Sequence, residues 1–89
     1  MPAPRLTHNA VTSFHRALCP ASSLNRAYRR LHQECVSARF SDRPPHWLRS
    51  PHSGNDGYLL LLDGDVALPL RRGRAVTCLV NPHLVADAR

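Results

Sequence analysis

The chain contains no lysine: all 12 basic residues among its 89 positions are arginine, against only 6 acidic residues. The formal net charge is +6 with neutral histidines. Unlike the lysine ammonium, the planar guanidinium group of arginine binds phosphate through two parallel hydrogen bonds and stacks on bases. A small, strongly basic domain is typical of a protein that binds a polyanion, with RNA as the first candidate. A GC-rich genome is the alternative explanation for the missing lysine, but it does not explain why the arginines cluster.

Other absences exclude several classes of function. The sequence has no glycine-rich phosphate loop, no serine nucleophile elbow and no paired carboxylates. Its cysteines and histidines occur at no recognised metal spacing, so we predict no metal site and no cofactor. Cys19, Cys35 and Cys78 include no close pair, which favours reduced thiols in a cytoplasmic protein. No apolar run approaches the roughly 20 residues that cross a membrane, and no hydrophobic signal core follows the N-terminus.

Residues 6–18 form the first predicted helix, because apolar side chains recur on one face at helical spacing. Thr7 is the expected N-cap. The opposite face carries His8, His15 and Arg16. Histidine is the side chain best suited to acid–base chemistry near neutral pH, so this face is a candidate catalytic surface with Arg16 holding a phosphate. The alternative is a solvated polar face.

Residues 23–35 form the second predicted helix, capped by one of the serines at positions 22 and 23. Its expected core stripe consists of Leu24, Ala27, Tyr28, Leu31 and Cys35. The opposite face carries Arg26, Arg29 and Arg30, and like charges at this helical spacing repel one another unless an anion is close. We predict that this face contacts phosphate; the alternative is a solvated face.

A loop with a single aromatic anchor is predicted after a short strand at residues 38–40. Residues 42–57 are rich in proline, glycine and polar side chains. Trp47 is expected to cover an edge of the core. The alternative is a base-stacking platform flanked by His46 and Arg49.

Three strands forming a meander are predicted at residues 58–62, 66–70 and 75–80. Asp63 and Gly64 signal the first hairpin turn. The leucine run before them does not alternate, which indicates a strand covered on both faces. Pro69 cannot donate a hydrogen bond to a neighbouring strand, so we expect a bulge there or irregular pairing close to the second turn.

The second turn contains Arg71, Arg72 and Arg74 around a glycine that lets the backbone approach a ligand closely. We predict phosphate contact at this turn, and a solvated hairpin tip is an equal alternative. Together the elements predict an α+β fold in which an N-terminal helical hairpin packs on a C-terminal, three- to four-stranded antiparallel sheet. The chain is expected to form a single domain over residues 1–89, with residues 1–5 and 81–89 as loosely ordered tails.

This layout resembles the RelE/barnase-type ribonuclease superfamily, which includes the small toxins of bacterial toxin–antitoxin pairs. Related short bacterial and phage proteins carry a His-Ala-x-x-Arg-Phe helix core, a Pro-x-Trp element and a final Val-Thr strand. The corresponding segments here read Asn9-Ala10-Val11-Thr12-Ser13-Phe14, Pro45-His46-Trp47 and Ala75-Val76-Thr77-Cys78-Leu79. Asn9 and Ser13 replace the histidine and the arginine of that helix. The resemblance therefore implies either a displaced catalytic site or a protein that binds without cutting.

Charge and resemblance together predict an RNA-directed protein, either a toxin-like, metal-independent endoribonuclease or a non-cutting relative. In RNA cleavage the 2′-hydroxyl is an internal nucleophile, so the protein needs only to move protons and stabilise charge. His8 and His15 are the candidates for proton transfer, with Arg16 and an arginine of the second turn on the phosphate. Whether the protein is an enzyme stays open.

The alternative function is a phage or mobile-element inhibitor, of the anti-defence type, that binds a host protein or nucleic-acid complex. A structural module that assembles through its apolar edge is a third possibility. The expected partners are RNA or another polyanion, together with an acidic antitoxin or host protein. No membrane association is expected.

Overall fold

The computed structural model describes residues 4–49 and 55–87 and has an α+β fold, which confirms the predicted class. Its elements are β1 (Arg5–Leu6), α1 (His8–Leu18), α2 (Leu24–Val36), β2 (Arg39–Ser41), β3 (Gly57–Leu61), β4 (Val66–Arg71), β5 (Arg74–Ala75), β6 (Leu79–Val80) and α3 (Pro82–Asp87). A tight turn, Leu62–Gly64, joins β3 to β4, and all three of its residues have positive φ. Part of the predicted loop, residues 50–54, and the outermost tail positions lie outside the described residues. None of the helices within the described ranges has the length and apolarity to cross a bilayer.

Within the described residues the sheet is mixed and has six strands, so the expected three- to four-stranded antiparallel sheet is found only in part: four of the five strand pairings are antiparallel. The strand order is β1-β5-β4-β3-β2, and β6 also pairs with β4. The parallel pair is β1 with β5, in which Arg5 is opposite Arg74 and Leu6 is opposite Ala75. Residues 4–6 therefore precede the helix as an extended segment, which corrects the predicted helix start at position 6.

The helices α1 and α2 begin at hydroxyl N-caps, as their sequences predict. The Oγ1 atom of Thr7 accepts a hydrogen bond from the backbone N–H of Ala10 at 3.2 Å. The Oγ atom of Ser23 accepts one from the backbone N–H of Arg26 at 3.2 Å. Each cap satisfies a backbone donor that has no partner within the helix. The caps explain why α1 starts at His8 and α2 at Leu24.

The core lies between the helices and one face of the sheet, called here the inner face. Its fully buried side chains include Phe14 of α1, Leu31 of α2 and Leu68 of β4. The stripe of α2 is narrower than predicted, since Leu24 and Tyr28 are 40% and 46% exposed. Only Ala27, Leu31 and Cys35 of that stripe are buried. These three residues are spaced four apart and form one row along the helix. Only this row of α2 is buried against the core.

Alternate residues of the same strands form the outer face of the sheet, on the side away from the helices. Tyr58, Ala67 and Pro69 are buried but lie outside the core cluster between the helices and the sheet. The leucine-rich strand is thus covered on both faces, as its lack of alternation predicts. The loop after β2 contributes to the outer cover: half-buried Trp47 donates from its indole Nε1 to the carbonyl oxygen of Gly64 at 2.7 Å.

Pro69 lies in regular pairing with Tyr58, and the irregularity expected at Pro69 is found in the neighbouring segment instead. The predicted third strand is interrupted at residues 76–78, which separates β5 from β6. Opposed residues of an antiparallel hydrogen-bonded pair exchange two bonds. Here Val76 donates to Pro69 at 3.1 Å, but proline has no N–H to return. The Val76 carbonyl oxygen accepts instead from Nδ2 of Asn9 in α1, at 3.1 Å.

Hydrogen bonds hold described segments near both ends of the chain. Arg5 is in β1, and its backbone N–H donates to Gly73 at 3.1 Å. At the other end, Nδ2 of Asn81 donates to Oδ1 of Asp65 at 3.1 Å, immediately before α3. Described parts of both predicted tails are therefore tied to the sheet or its turns.

Candidate nucleic-acid interface

The turn between β4 and β5 is a two-residue hairpin of Arg72 and Gly73. Their φ angles are 53° and 77°, and positive φ at both central residues is what a type I′ turn requires. Arginine is unusual at such a position, where glycine, asparagine and aspartate are favoured. The backbone N–H of Arg72 donates to Oδ2 of Asp56 at 2.7 Å, which helps to hold the turn. An arginine is thereby kept at the hairpin tip despite the conformational cost.

The flanking strands align three arginines side by side. Arg5 of β1 is opposite Arg74 of β5, and Arg74 is opposite Arg71 of β4. Opposed residues of adjacent strands point to the same face, at an inter-strand spacing of about 4.8 Å. Their neighbours Leu70 and Ala75 are buried on the inner face, so the three arginines are on the outer face. We call Arg5, Arg74 and Arg71 the arginine row.

The electrostatics of the row favour an anionic ligand. All three arginines and Arg72 are exposed, and like charges directly opposite each other on a sheet are destabilising. An anion lying across the row would remove that repulsion. Beside the row is a concavity of about 540 Å³ lined by Thr7, Arg71, Arg72, Arg74 and Val76. Its guanidinium groups supply the donor geometry that matches phosphate oxygens.

Arg5 is a member of this site that no pattern in the sequence identifies. It is separated from Arg74 by most of the chain, and only the parallel pairing of β1 with β5 brings the two together. A two-residue strand has no periodicity to detect, and the helix predicted from position 6 left no room for it. The one signal in the sequence is Thr7, whose preference for the N-cap position ends any extension of α1 toward the N-terminus.

Arg26, Arg29 and Arg30 are exposed on α2, as expected from their spacing. Because α2 packs on the inner face, they are on the opposite side of the two-layer fold from the arginine row. The guanidinium carbon of Arg30 lies 5.9 Å from the ring centroid of Phe14, within cation–π range. One of the three charges thus already interacts with the protein. The two arginine groups do not form one continuous surface.

The predicted catalytic residues are not brought together. Nε2 of His15 is 2.7 Å from the carbonyl oxygen of Ser22, and this hydrogen bond ties α1 to the loop before α2. His8 is exposed and lines a different concavity, with Leu24 and Tyr28 among its neighbours. The two histidines are about 10 Å apart along the helix axis. Exposed Arg16, like both histidines, is absent from the concavity beside the arginine row.

Asn9 and Ser13, which stand where the ribonuclease motif has histidine and arginine, make structural contacts. Asn9 binds the Val76 carbonyl oxygen that Pro69 leaves without a donor. The Ser13 and Thr77 hydroxyl oxygens are 3.5 Å apart. Both contacts join α1 to the interrupted strand. The positions have a packing role in this chain.

The thiols of Cys35 and Cys78 are poor nucleophiles. Burial, together with the negative charge of Glu34, raises the pKa of Cys35 to about 11. Burial, with Cys35 adding a further contribution, raises the pKa of Cys78 to about 12. Both thiols are therefore protonated near neutral pH, whereas nucleophilic chemistry needs the thiolate. Within residues 4–49 and 55–87 no group of three or more histidine, cysteine or acidic side chains could hold a metal ion.

The chain matches no protein-family model, and comparison with curated proteins and with solved structures also finds no match, so the ribonuclease resemblance stays a prediction.

Proposed function

We propose that this protein binds RNA through the phosphate backbone along the arginine row, and that His8 and His15 do not cut the bound strand. The observation that carries the proposal is the alignment of Arg5, Arg74 and Arg71 on one face. Three adjacent guanidinium groups offer a line of bidentate donors for successive phosphates. Arg72 at the turn adds a fourth positive charge to the same edge.

The environment of the histidines supports binding without cleavage. A general base must reach the proton it removes, directly or through one water. His15 is engaged with Ser22 at the end of α1, and His8 lines a concavity that none of Arg71, Arg72 and Arg74 lines. A phosphate bound on the arginine row is therefore on a different surface from either imidazole.

The test compares two double variants that remove the same charge from different surfaces. Arg71→Gln/Arg74→Gln alters the row, and Arg26→Gln/Arg29→Gln alters α2. Each lost charge-assisted hydrogen bond weakens binding by roughly 1.5–3 kcal/mol, so we expect the row variant to bind a single-stranded RNA at least about 100-fold more weakly. Its log–log salt slope should fall by about 1.4, since each phosphate contact contributes about 0.7 on a single strand.

The α2 variant should bind within about twofold of wild type, because screened charges act weakly beyond a Debye length of about 10 Å. Equal losses in the two variants would show that net charge, rather than the row, binds the RNA. An absence of binding by the wild type would overturn the proposal. The same RNA should stay full-length on a denaturing gel. Cleavage that disappears in His8→Ala or His15→Ala would restore the endoribonuclease hypothesis.

A further inference from the structure

Trp47 lines a second concavity on the outer side of the sheet. This open space of about 270 Å³ is lined by Trp47, Leu48, Arg49, Leu79, Val80 and Pro82. The hydrogen bond from the indole to Gly64 fixes the orientation of the half-buried ring. The volume is just below the range of about 300–1,000 Å³ typical of small-molecule sites. The concavity therefore has room for one small group.

Among the residues that the structure describes, the lining combines an indole, aliphatic side chains and one arginine, without a carboxylate. A nucleobase has the matching chemistry, because it presents a flat π-face and is attached to an anionic backbone. Base stacking on aromatic side chains tolerates every base, and the guanidinium group of arginine stacks or binds phosphate nearby. The charge and the flat apolar wall thus point to the same ligand.

The position of the concavity relative to the arginine row links the two sites. Leu79, which lines the concavity, pairs with Ala67 of β4. Ala67 and Arg71 are four residues apart on one strand, so they face the same side at a separation of roughly 13 Å. A stacked nucleic-acid strand rises about 3.4 Å per nucleotide, so about four nucleotides, or fewer when extended, bridge this distance.

We propose that the Trp47 concavity takes one unpaired base of the RNA whose phosphates lie on the arginine row, an inference that rests on the proposed function. The protein then prefers single-stranded RNA, since a base inside a duplex has no free face to stack on the indole. Trp47 is a base-contacting residue, and Arg49 neutralises phosphate beside it.

The only tryptophan of the chain is itself the reporter for the test. The wild-type protein is titrated with a single-stranded oligouridine of about ten nucleotides, an abasic oligoribonucleotide of the same length and an RNA duplex. Stacking should quench Trp47 fluorescence with the oligouridine alone. The abasic strand carries the same phosphates without bases, so we expect it to bind about tenfold more weakly. Affinity for the oligouridine should fall about tenfold in Trp47→Leu and less in Trp47→Phe, which keeps an aromatic face.

The abasic comparison uses the unchanged protein, so it decides the matter even if a Trp47 variant fails to fold. Arg71→Gln/Arg74→Gln should weaken binding of all three probes, and this arm tests the proposed function. Equal affinity for the abasic strand and the oligouridine, without quenching, would overturn the base site and leave phosphate binding standing. Failure of every probe to bind would overturn the proposed function itself.

Discussion

The two arginine groups of this chain differ in what creates them. Arg26, Arg29 and Arg30 are neighbours because a helix places residues three and four apart on one face. The arginine row joins Arg5 to Arg74 and Arg71, and only strand pairing aligns them. The first group exists wherever the helix forms. The second exists only in the complete sheet.

This difference separates local charge density from a built site. In the α2 group, Arg29 lines a concavity with Tyr28, His32 and Gln33, and Arg30 already lies over the Phe14 ring. The sheet group has opposed strands, a turn held at positive φ and an adjoining concavity. Non-glycine residues at positive φ cost free energy, and such positions cluster where a side chain has a function. These features are the reason why we propose the sheet group, rather than the α2 group, as the RNA-binding surface.

The largest expected effect comes from disrupting the sheet that aligns the arginine row, which tests whether RNA binding depends on that sheet. In Gly57→Ala, the new Cβ would lie 2.6 Å from two ring carbons of Phe40 and 2.9 Å from the Ser41 carbonyl oxygen, at a φ of +152°. We expect the free energy of unfolding to fall by about 3 kcal/mol, from overpacking and backbone strain together. Urea denaturation followed by circular dichroism measures it.

Gly73→Ala is the matched control, since its φ is +77° but nothing lies within 4 Å of the new Cβ. It should cost about 1 kcal/mol from backbone strain alone. At a urea concentration that unfolds only Gly57→Ala, the Gly57→Ala protein should lose RNA binding while the wild-type protein retains it. Undiminished binding by the unfolded chain would show that the arginines act by charge alone, and the distinction between the groups would fail.

The sequence predicts what local rules determine. Thr7 and Ser23 cap their helices as expected, and Arg26, Arg29 and Arg30 are exposed together. The parallel β1–β5 pair could not be predicted, because pairing across most of the chain length follows from the packing of the whole domain. The interruption after β5 has a local cause, the missing N–H of Pro69. The position of this interruption could be predicted only from the register of the sheet, which determines the residue opposite Pro69.

The residues of the candidate site also differ in whether local sequence predicts them. Arg71, Arg72 and Arg74 were identified because a tight turn keeps them adjacent in space. Arg5 was missed because its neighbours are remote in sequence. The polar helix face predicts acid–base chemistry for His15, but its imidazole is hydrogen-bonded to the carbonyl oxygen of Ser22. Ser22 belongs to a loop, and the conformation of a loop cannot be predicted from helical periodicity. Contacts made by loops decide whether a polar side chain is available.

A second test compares the two helix caps, one beside each arginine group. Thr7 also donates from Oγ1 to the carbonyl oxygen of Ala75 at 2.8 Å, next to Arg74 of the row. We expect Thr7→Val to lower the free energy of unfolding by about 2 kcal/mol, from loss of the cap and of this bond. Ser23→Ala removes only a cap and should cost about 1 kcal/mol.

Because Thr7 positions β5, Thr7→Val should also weaken RNA binding several-fold under conditions where both variants are folded. Ser23→Ala should leave RNA binding unchanged. Denaturation and RNA titration on the same samples distinguish the two effects. Weaker binding by Ser23→Ala than by Thr7→Val would place the RNA on the α2 side and contradict the assignment.

The smallest expected effect is the change in the free energy of unfolding when charge repulsion is removed from either arginine group. Arg74 has an arginine directly opposite on both sides, whereas Arg29 has one helical neighbour, Arg26, three residues away. We expect Arg74→Gln to raise the free energy of unfolding by about 0.5 kcal/mol at low salt, and Arg29→Gln by about half as much. Urea is uncharged, so denaturation in urea measures both at fixed ionic strength. Both gains should vanish near 1 M salt, where the Debye length is about 3 Å. A residue at a ligand site is expected to destabilise the free protein while it strengthens binding of the ligand. A lower free energy of unfolding for Arg74→Gln at low salt would mean that Arg74 has a structural role instead.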